Sequence, residues 1–165
     1  MQKASRFQDK WRSVVFFLTA CLVVIADQLS KIWIRSVPEG YSLLEVGFFR
    51  LAHFPPNTGA AFGLFRGQSF ALSIIALVGV AVLLVYALHI YRRFSFLDNR
   101  LANVAIGLVL GGTVGNLIDR IRFGGVTDFI DFGFWPAFNV ADSAIVVGVI
   151  MFAYSLISLT RVGKE

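Results

Sequence analysis

The stretch GNLIDRIRFGGVTDFIDFGFWPAFNVADS, residues 115–143, separates two strongly apolar runs and yet holds Asp119, Asp128, Asp131 and Asp142, four of the ten acidic residues in the chain. Asn116, Arg120 and Asn139 stand beside them. An acidic side chain in hydrocarbon-like surroundings costs on the order of 2.5 to 3.5 kcal/mol on insertion scales, so one that persists there is read first as functional. Residues 115–143 are therefore read as an active site set at the edge of a membrane.

Composition agrees with the membrane. The 165 residues are 57% hydrophobic and 15% charged, with a mean hydropathy of +0.74, whereas about a quarter of the residues in a soluble domain are charged. The length suits one domain spanning residues 1–165. The formal charge of +5 comes from short basic clusters beside apolar runs rather than an extended stripe, so nucleic acid is not expected as a partner. The single cysteine, Cys21, rules out an intramolecular disulfide. Leu18-Thr19-Ala20-Cys21 has the form of a lipobox, but the apolar run continues through Ala26, where a mature lipoprotein would begin a polar tether. Cys21 is read instead as a small buried hydrophobe.

Four spans follow from the apolar runs. Val14 to Ile34, 21 residues, makes about 31 Å of helix, enough for a hydrocarbon core of about 30 Å. Asp27 and Lys31 share one face of it at i and i+4 and can partly neutralise each other. Phe70 to Ile90 is an uncharged second span, with His89 read as interfacial. Leu101 to Ile118 is the third, carrying Gly107, Gly111 and Gly115 as a stripe that permits close helix approach, and Val140 to Leu159 is the fourth. Between the first two spans, residues 36–69 hold Pro38, Gly40, Gly47, Pro55, Pro56, Gly59, Gly63 and Gly67. Short runs such as Leu43 to His53 suit strands there. The expected architecture is an all-α membrane protein with four transmembrane helices and a small β-rich extracytoplasmic surface domain. Tyr41, Phe48, Phe49, Phe54, Phe62, Phe65 and Phe70 would rest that domain at headgroup level.

Orientation follows from the basic residues. With both termini in the cytoplasm, nine of the 15 Lys and Arg lie inside (Lys3, Arg6, Lys10, Arg12, Arg92, Arg93, Arg100, Arg161, Lys164), as the positive-inside rule requires. Asp27, Lys31, Asn57, Asn116, Arg120, Asp128 and Asp142 then fall toward one, extracytoplasmic, face.

The two aspartates at positions 128 and 142 lie on either side of Gly133 and Pro136, which exclude one continuous helix and leave a connection long enough to turn back. Asn139 suits the N-cap of the fourth span, with Asp142 at its third helical position; a purely capping Asp142 and a solvated Asp128 or Asp131 is the plain alternative. If the carboxylates meet, two charges about 4 Å apart at an effective dielectric near 20 repel by about 4 kcal/mol. That moves the second ionisation from about 3.9 to about 7. One shared proton then lets one aspartate accept while the other donates. No HExxH motif and no Ser with a His/Asp constellation is present.

These residues resemble the bacterial lipoprotein signal peptidases, the type II signal peptidases. The matching pieces, in family order, are Asp27-Gln28-Leu29-Ser30-Lys31, Asn57-Thr58-Gly59-Ala60-Ala61-Phe62, Gly115-Asn116-Leu117-Ile118-Asp119-Arg120, Val126-Thr127-Asp128-Phe129 and Phe138-Asn139-Val140-Ala141-Asp142-Ser143. The resemblance implies a monomeric four-helix aspartic endopeptidase of the inner membrane, without metal or cofactor. Its activity would be cleavage of diacylglyceryl-modified prolipoproteins just before the lipidated cysteine, among membrane phospholipid and with sensitivity to a peptide antibiotic such as globomycin. It implies Asp128 and Asp142 as the catalytic dyad and Asn57, Asn116, Arg120 and Asn139 as substrate-holding or dyad-orienting residues. Asp27, Lys31, Gly59 and Asp119 would give support, with Asp119 and Asp131 outside the dyad. The sequence departs from many relatives at Gly125 and Thr127, where a bulkier residue and a valine are usual, and at Pro55-Pro56. The competing class is a small proton-coupled transporter using intramembrane acids. A conduit needs polar groups through its depth, however, and the inner halves of all four spans are apolar.

Overall fold

The computed structural model describes residues 2–59, 65, 67–86 and 100–162. The expected positions 60–64, Arg66, 87–90 with His89, Arg92, Arg93, Asp98 and Lys164 lie outside the described residues. Helix α1 runs over Gln2–Arg35, α2 over Ser69–Val85, α3 over Arg100–Phe123 and α4 over Val140–Val162. Three helical stretches, Trp11–Arg35, Arg100–Phe123 and Val140–Ser158, are long and apolar enough to cross a membrane, and the described part of α2 is a shorter apolar helix.

Helix α1 begins earlier than the hydropathy suggested because neither glycine nor proline interrupts residues 2–35. It stops just before Pro38, which disfavours helical backbone at Val37. Its two sides reverse the pattern of a soluble helix. Leu18, Leu22, Ile25, Leu29 and Ile32 are exposed, while Phe16, Ala20, Val23, Asp27, Lys31 and Ile34 are buried. The outward stripe is a surface for lipid and the inward one carries the charge. Cys21, expected to be buried, is exposed; it is one residue away from the inward-facing Ala20, and a step of about 100° carries it off the packed side.

Helix α3 sits between α1 and α4, and its glycines bring the backbones together. A Cβ on Gly107 would lie 2.8 Å from the Phe16 carbonyl, and one on Gly111 would lie 2.7 Å from the Ala20 carbonyl. Gly112 abuts the Ala141 carbonyl of α4, and Gly148 would meet that of Ala105 at 2.6 Å. Around them Phe16, Ala20, Ile106 and Leu110 form an apolar core, against which Val80, Leu83 and Leu84 of α2 pack. Helix α3 extends past Ile118 to Phe123, so Asp119 and Arg120 are helical. It ends at Gly124, whose φ of 73° favours a residue without a Cβ.

Strands β1 (Ser42–Val46) and β2 (Phe49–Ala52) form a hairpin within the expected small sheet, with Val46 opposite Phe49 and Glu45 opposite Arg50. Gly47 takes a φ of 60° in its two-residue turn. A third strand that the sequence did not disclose, β3 (Ile130–Asp131), joins β2 from the second loop, with Arg50 opposite Asp131 and Leu51 opposite Ile130. Arg50 Nη2 lies 2.7 Å from Asp131 Oδ2. Of the aromatic set, Tyr41, Phe48, Phe65 and Phe70 are exposed, joined by Phe134 and Trp135, while Phe49 and Phe54 are half-buried.

The glycine contacts yield a first prediction. Gly111→Val forces α1 and α3 apart and is expected to cost about 1 to 3 kcal/mol or more by overpacking. Thermal unfolding in detergent should show a lowered Tm, whereas Gly79→Ala, in the interior of α2 with nothing within 4 Å of the added carbon, should keep or raise it.

Candidate active site

The site forms where the C-terminal ends of α1 and α3 and the N-terminal end of α4 meet the two loops. Asn139 precedes α4 and caps it: its Oδ1 accepts the Asp142 N–H at 2.9 Å, while its own N–H donates to Asp142 Oδ2 at 3.2 Å. This reciprocal box places Asp142 at the third helical position, as expected. The same Asn139 side chain donates through Nδ2 to Asp128 Oδ1 at 2.8 Å. One amide thus touches both aspartates, and capping and pairing coexist rather than exclude each other.

The second loop returns as the spacing required. Phe129 and Ile130 donate to the Phe138 carbonyl, and Phe138 donates back to Ile130. Gly133 takes a φ of 74° at the far end, and Phe132 stacks on Phe138 with centroids 5.9 Å apart. The first loop is fastened alongside by a two-way bridge, Asn57 N–H to the Val126 carbonyl at 2.8 Å and Val126 N–H to that of Asn57 at 2.9 Å. Asn57 Oδ1 accepts the Gly59 N–H at 2.9 Å, leaving Nδ2 to donate to Asp128 Oδ2 at 2.9 Å. Both oxygens of Asp128 are therefore met by amides. The two loops are close here: a Cβ on Gly125 would lie 3.0 Å from Pro56 Cβ, so the glycine makes room for the proline.

Beneath the aspartates lies a buried ionic group. Lys31 Nζ is 2.9 Å from Asp27 Oδ2 and 3.4 Å from Asp119 Oδ2, and it donates to Asn116 Oδ1 at 2.9 Å. Lys31, Asp27 and Asp119 are 0% exposed, so the charges must be matched locally. Arg35 supplies the second cation, 3.3 Å from Asp119 Oδ1. Two acids then face two bases. Because Lys31 has only donors, Asn116 must turn Oδ1 toward it, and Nδ2 then donates to Asp142 Oδ1 at 2.7 Å. Asp27 Oδ1 reaches across to the Ala141 N–H at 3.0 Å, near the start of α4.

Burial raises the Asp128 pKa to about 6, the Asp142 charge adds to it, and the Asn57 and Asn139 amides with Lys31 oppose it. Desolvation rather than mutual repulsion is thus the leading cause, and the three donors favour the anion against it. Asp131, outside the dyad, is lowered by the Gly133 N–H and Arg50. Arg120 Nη2 donates to the Gly59 carbonyl at 3.5 Å, while its buried Nε has no partner among the described residues. Among those residues no three His, Cys, Asp or Glu side chains gather as metal ligands.

All ten residues singled out as site or support meet here. Three others escaped the sequence reading. Gln28 donates to Asp27, Asp119 and the Gly115 carbonyl. Arg35 and Thr127 join each other at 2.7 Å. The four-residue steps from Asp27 to Lys31 to Arg35 were a usable signal for Arg35; nothing local marked Thr127 as a hydrogen-bond acceptor.

The architecture is that of bacterial membrane enzymes. One, solved by the in meso method at 2.3 Å, superposes with a TM-score of 0.77 at 34% identity over 88% of each chain. A second reaches 0.72 at 33% identity, over 86% of this chain and 91% of the other. The chain belongs to the signal peptidase II family, whose sequence pattern matches residues 19–158. The lipoprotein signal peptidase of Dehalococcoides mccartyi strain CBDB1 is 48% identical over 84% of this chain and 86% of its own. That of Moorella thermoacetica is 43% identical over 86% and 92%.

The electrostatics can be checked directly. Carbon-13 NMR of labelled aspartate should find Asp128 titrating near 6. Asp142→Asn, which removes the neighbouring charge but not the burial, should lower that midpoint while leaving it above the ordinary carboxylate value.

Proposed function

We propose that the chain is an aspartic endopeptidase that removes signal peptides from diacylglyceryl-modified prolipoproteins by cleaving just before the lipidated cysteine. Asp128 and Asp142 are its catalytic pair. The observation that carries this reading is the bridging of both carboxylates by Asn139, with Asp128 raised to about 6 by burial and by its partner. A pair of this kind holds one proton up to about pH 6, well above the range in which an ordinary aspartate loses it.

In the reaction, the ionised aspartate takes a proton from water as the water oxygen bonds to the scissile carbonyl carbon. The protonated aspartate gives its proton to the carbonyl oxygen, forming a neutral diol. The C–N bond then breaks as the first aspartate passes its proton to the leaving nitrogen and the second takes a proton from a diol hydroxyl, which re-forms a carbonyl and restores the singly protonated pair. Asn57, Asn116 and Asn139 hold the carboxylates, leaving Arg120, whose buried Nε has no partner among the described residues, to take a substrate carbonyl. The Lys31 group supports the amides from below. In this reading α2 completes a fourth span, both termini are cytoplasmic, and the exposed aromatics of the sheet lie at the outer leaflet of the plasma membrane, where phospholipid surrounds a monomer. The acyl chains and the signal helix then approach through lipid, and globomycin would compete for the same place.

Asp128→Asn and Asp142→Asn should each fold and bind a lipidated prolipoprotein peptide while cleaving it at least about a thousandfold more slowly, given the size of the effects when a group acting in the transition state is removed. Normal turnover by either variant rules the assignment out. For the wild type, kcat/KM reports the free enzyme. Ionising Asp128 destroys the singly protonated pair, so kcat/KM should fall with rising pH above about 6. Globomycin added to the same assay should stop cleavage.

A further inference from the structure

Thr127, the residue before Asp128, has every polar atom engaged. Its N–H donates to Asp119 Oδ2 at 2.9 Å, its Oγ1 accepts from Arg35 Nη1 at 2.7 Å, and its carbonyl accepts from Asn139 Nδ2 at 3.3 Å. Arg35 is the last residue of α1. Its guanidinium is pinned on two further sides, by Asp119 Oδ1 at 3.3 Å and by the Phe123 ring, whose centroid is 4.4 Å from Cζ. Thr127 is 4% exposed, so its hydroxyl has little access to water as a substitute for Arg35. A valine would fill the same branched volume but would offer Arg35 no acceptor.

We infer that Arg35 is a positioning residue for Asp128, acting through the Thr127 hydroxyl. It touches neither catalytic carboxylate. It anchors the peptide unit on which Asp128 is carried to the junction of α1 and α3, so that the carboxylate stays on the Asn57 and Asn139 amides. Asp119 holds the amide side of the same residue and also lies within hydrogen-bonding reach of its hydroxyl, and Asn139 holds the carbonyl side, so the hydroxyl ties the segment to Arg35 and Asp119 together. A displacement of a catalytic group by about 1 Å costs on the order of a hundredfold in rate. Loosening one of several anchors should cost less and should fall on kcat, because Arg35 and Thr127 lie behind the aspartate. The inference rests on the reading of Asp128 as half of the catalytic pair.

The test uses the full chain in detergent with a lipidated prolipoprotein peptide, comparing Thr127→Val, Thr127→Ser, Arg35→Gln and the Thr127→Val/Arg35→Gln double variant, with Asp128→Asn alongside. Thr127→Val should lower kcat by about tenfold, the scale of one charge-assisted hydrogen bond, with KM changed less than about twofold. Thr127→Ser, which keeps the hydroxyl, should restore kcat to near wild type. The double variant should lose less than the product of the two single losses, because the two changes share the Arg35–Thr127 bond. A wild-type kcat in Thr127→Val, a Ser variant as slow as the Val variant, or losses that multiply in the double variant would overturn the inference while Asp128→Asn remains inactive. Normal cleavage by Asp128→Asn would instead remove the catalytic pair and this inference with it.

Discussion

Asn139 has no polar atom to spare. It caps α4 with its side-chain oxygen, receives Ser143 on its carbonyl, and uses its nitrogens on Asp142, Asp128, Asn116 and the Thr127 carbonyl. A carboxylate away from water is tolerable only when its oxygens are met by donors. A single asparagine at a helix start meets that requirement for two carboxylates at once, so the second loop has to return to it. The turn at Gly133, the Phe138 bridge and the aromatic stack follow as means of bringing residues 128 and 142 to one asparagine, whose side-chain nitrogen serves the first carboxylate and whose backbone N–H serves the second.

The same requirement reaches downward into the helices. Lys31 and Arg35 neutralise Asp27 and Asp119, and that group in turn sets the orientation of Asn116. With Asp27 reaching the α4 backbone and a Cβ at Gly115 within 2.5 Å of its carboxylate, the polar group fits only because α3 lacks side chains along that edge. Glycine spacing and buried charge are thus two halves of one packing solution: close backbones exclude water, and exclusion of water makes the pairing obligatory. It is also what raises Asp128.

The small sheet serves the site by position. Joining β3 to the hairpin ties the first loop to the second, and the Asn57–Val126 bridge continues that tie to within two residues of Asp128. Gly125 faces Pro56, so the two loops pack closely where a side chain at position 125 would collide with the proline ring.

Hydropathy and charge placement carried the membrane class, the apolar helices, the hairpin and the clustering of polar residues toward one end, because each depends on local composition and on transfer between water and hydrocarbon. The capping role of Asn139 was legible for the same reason: it involves residues three apart on one helix. What needed the tertiary structure was the content of longer reach. The third strand, the exposure of Cys21, the Arg35–Thr127 bond and the dominance of desolvation over repulsion at Asp128 arise only when segments distant in sequence exclude water from one another. Burial belongs to the folded whole, and a pattern read along the chain does not contain it.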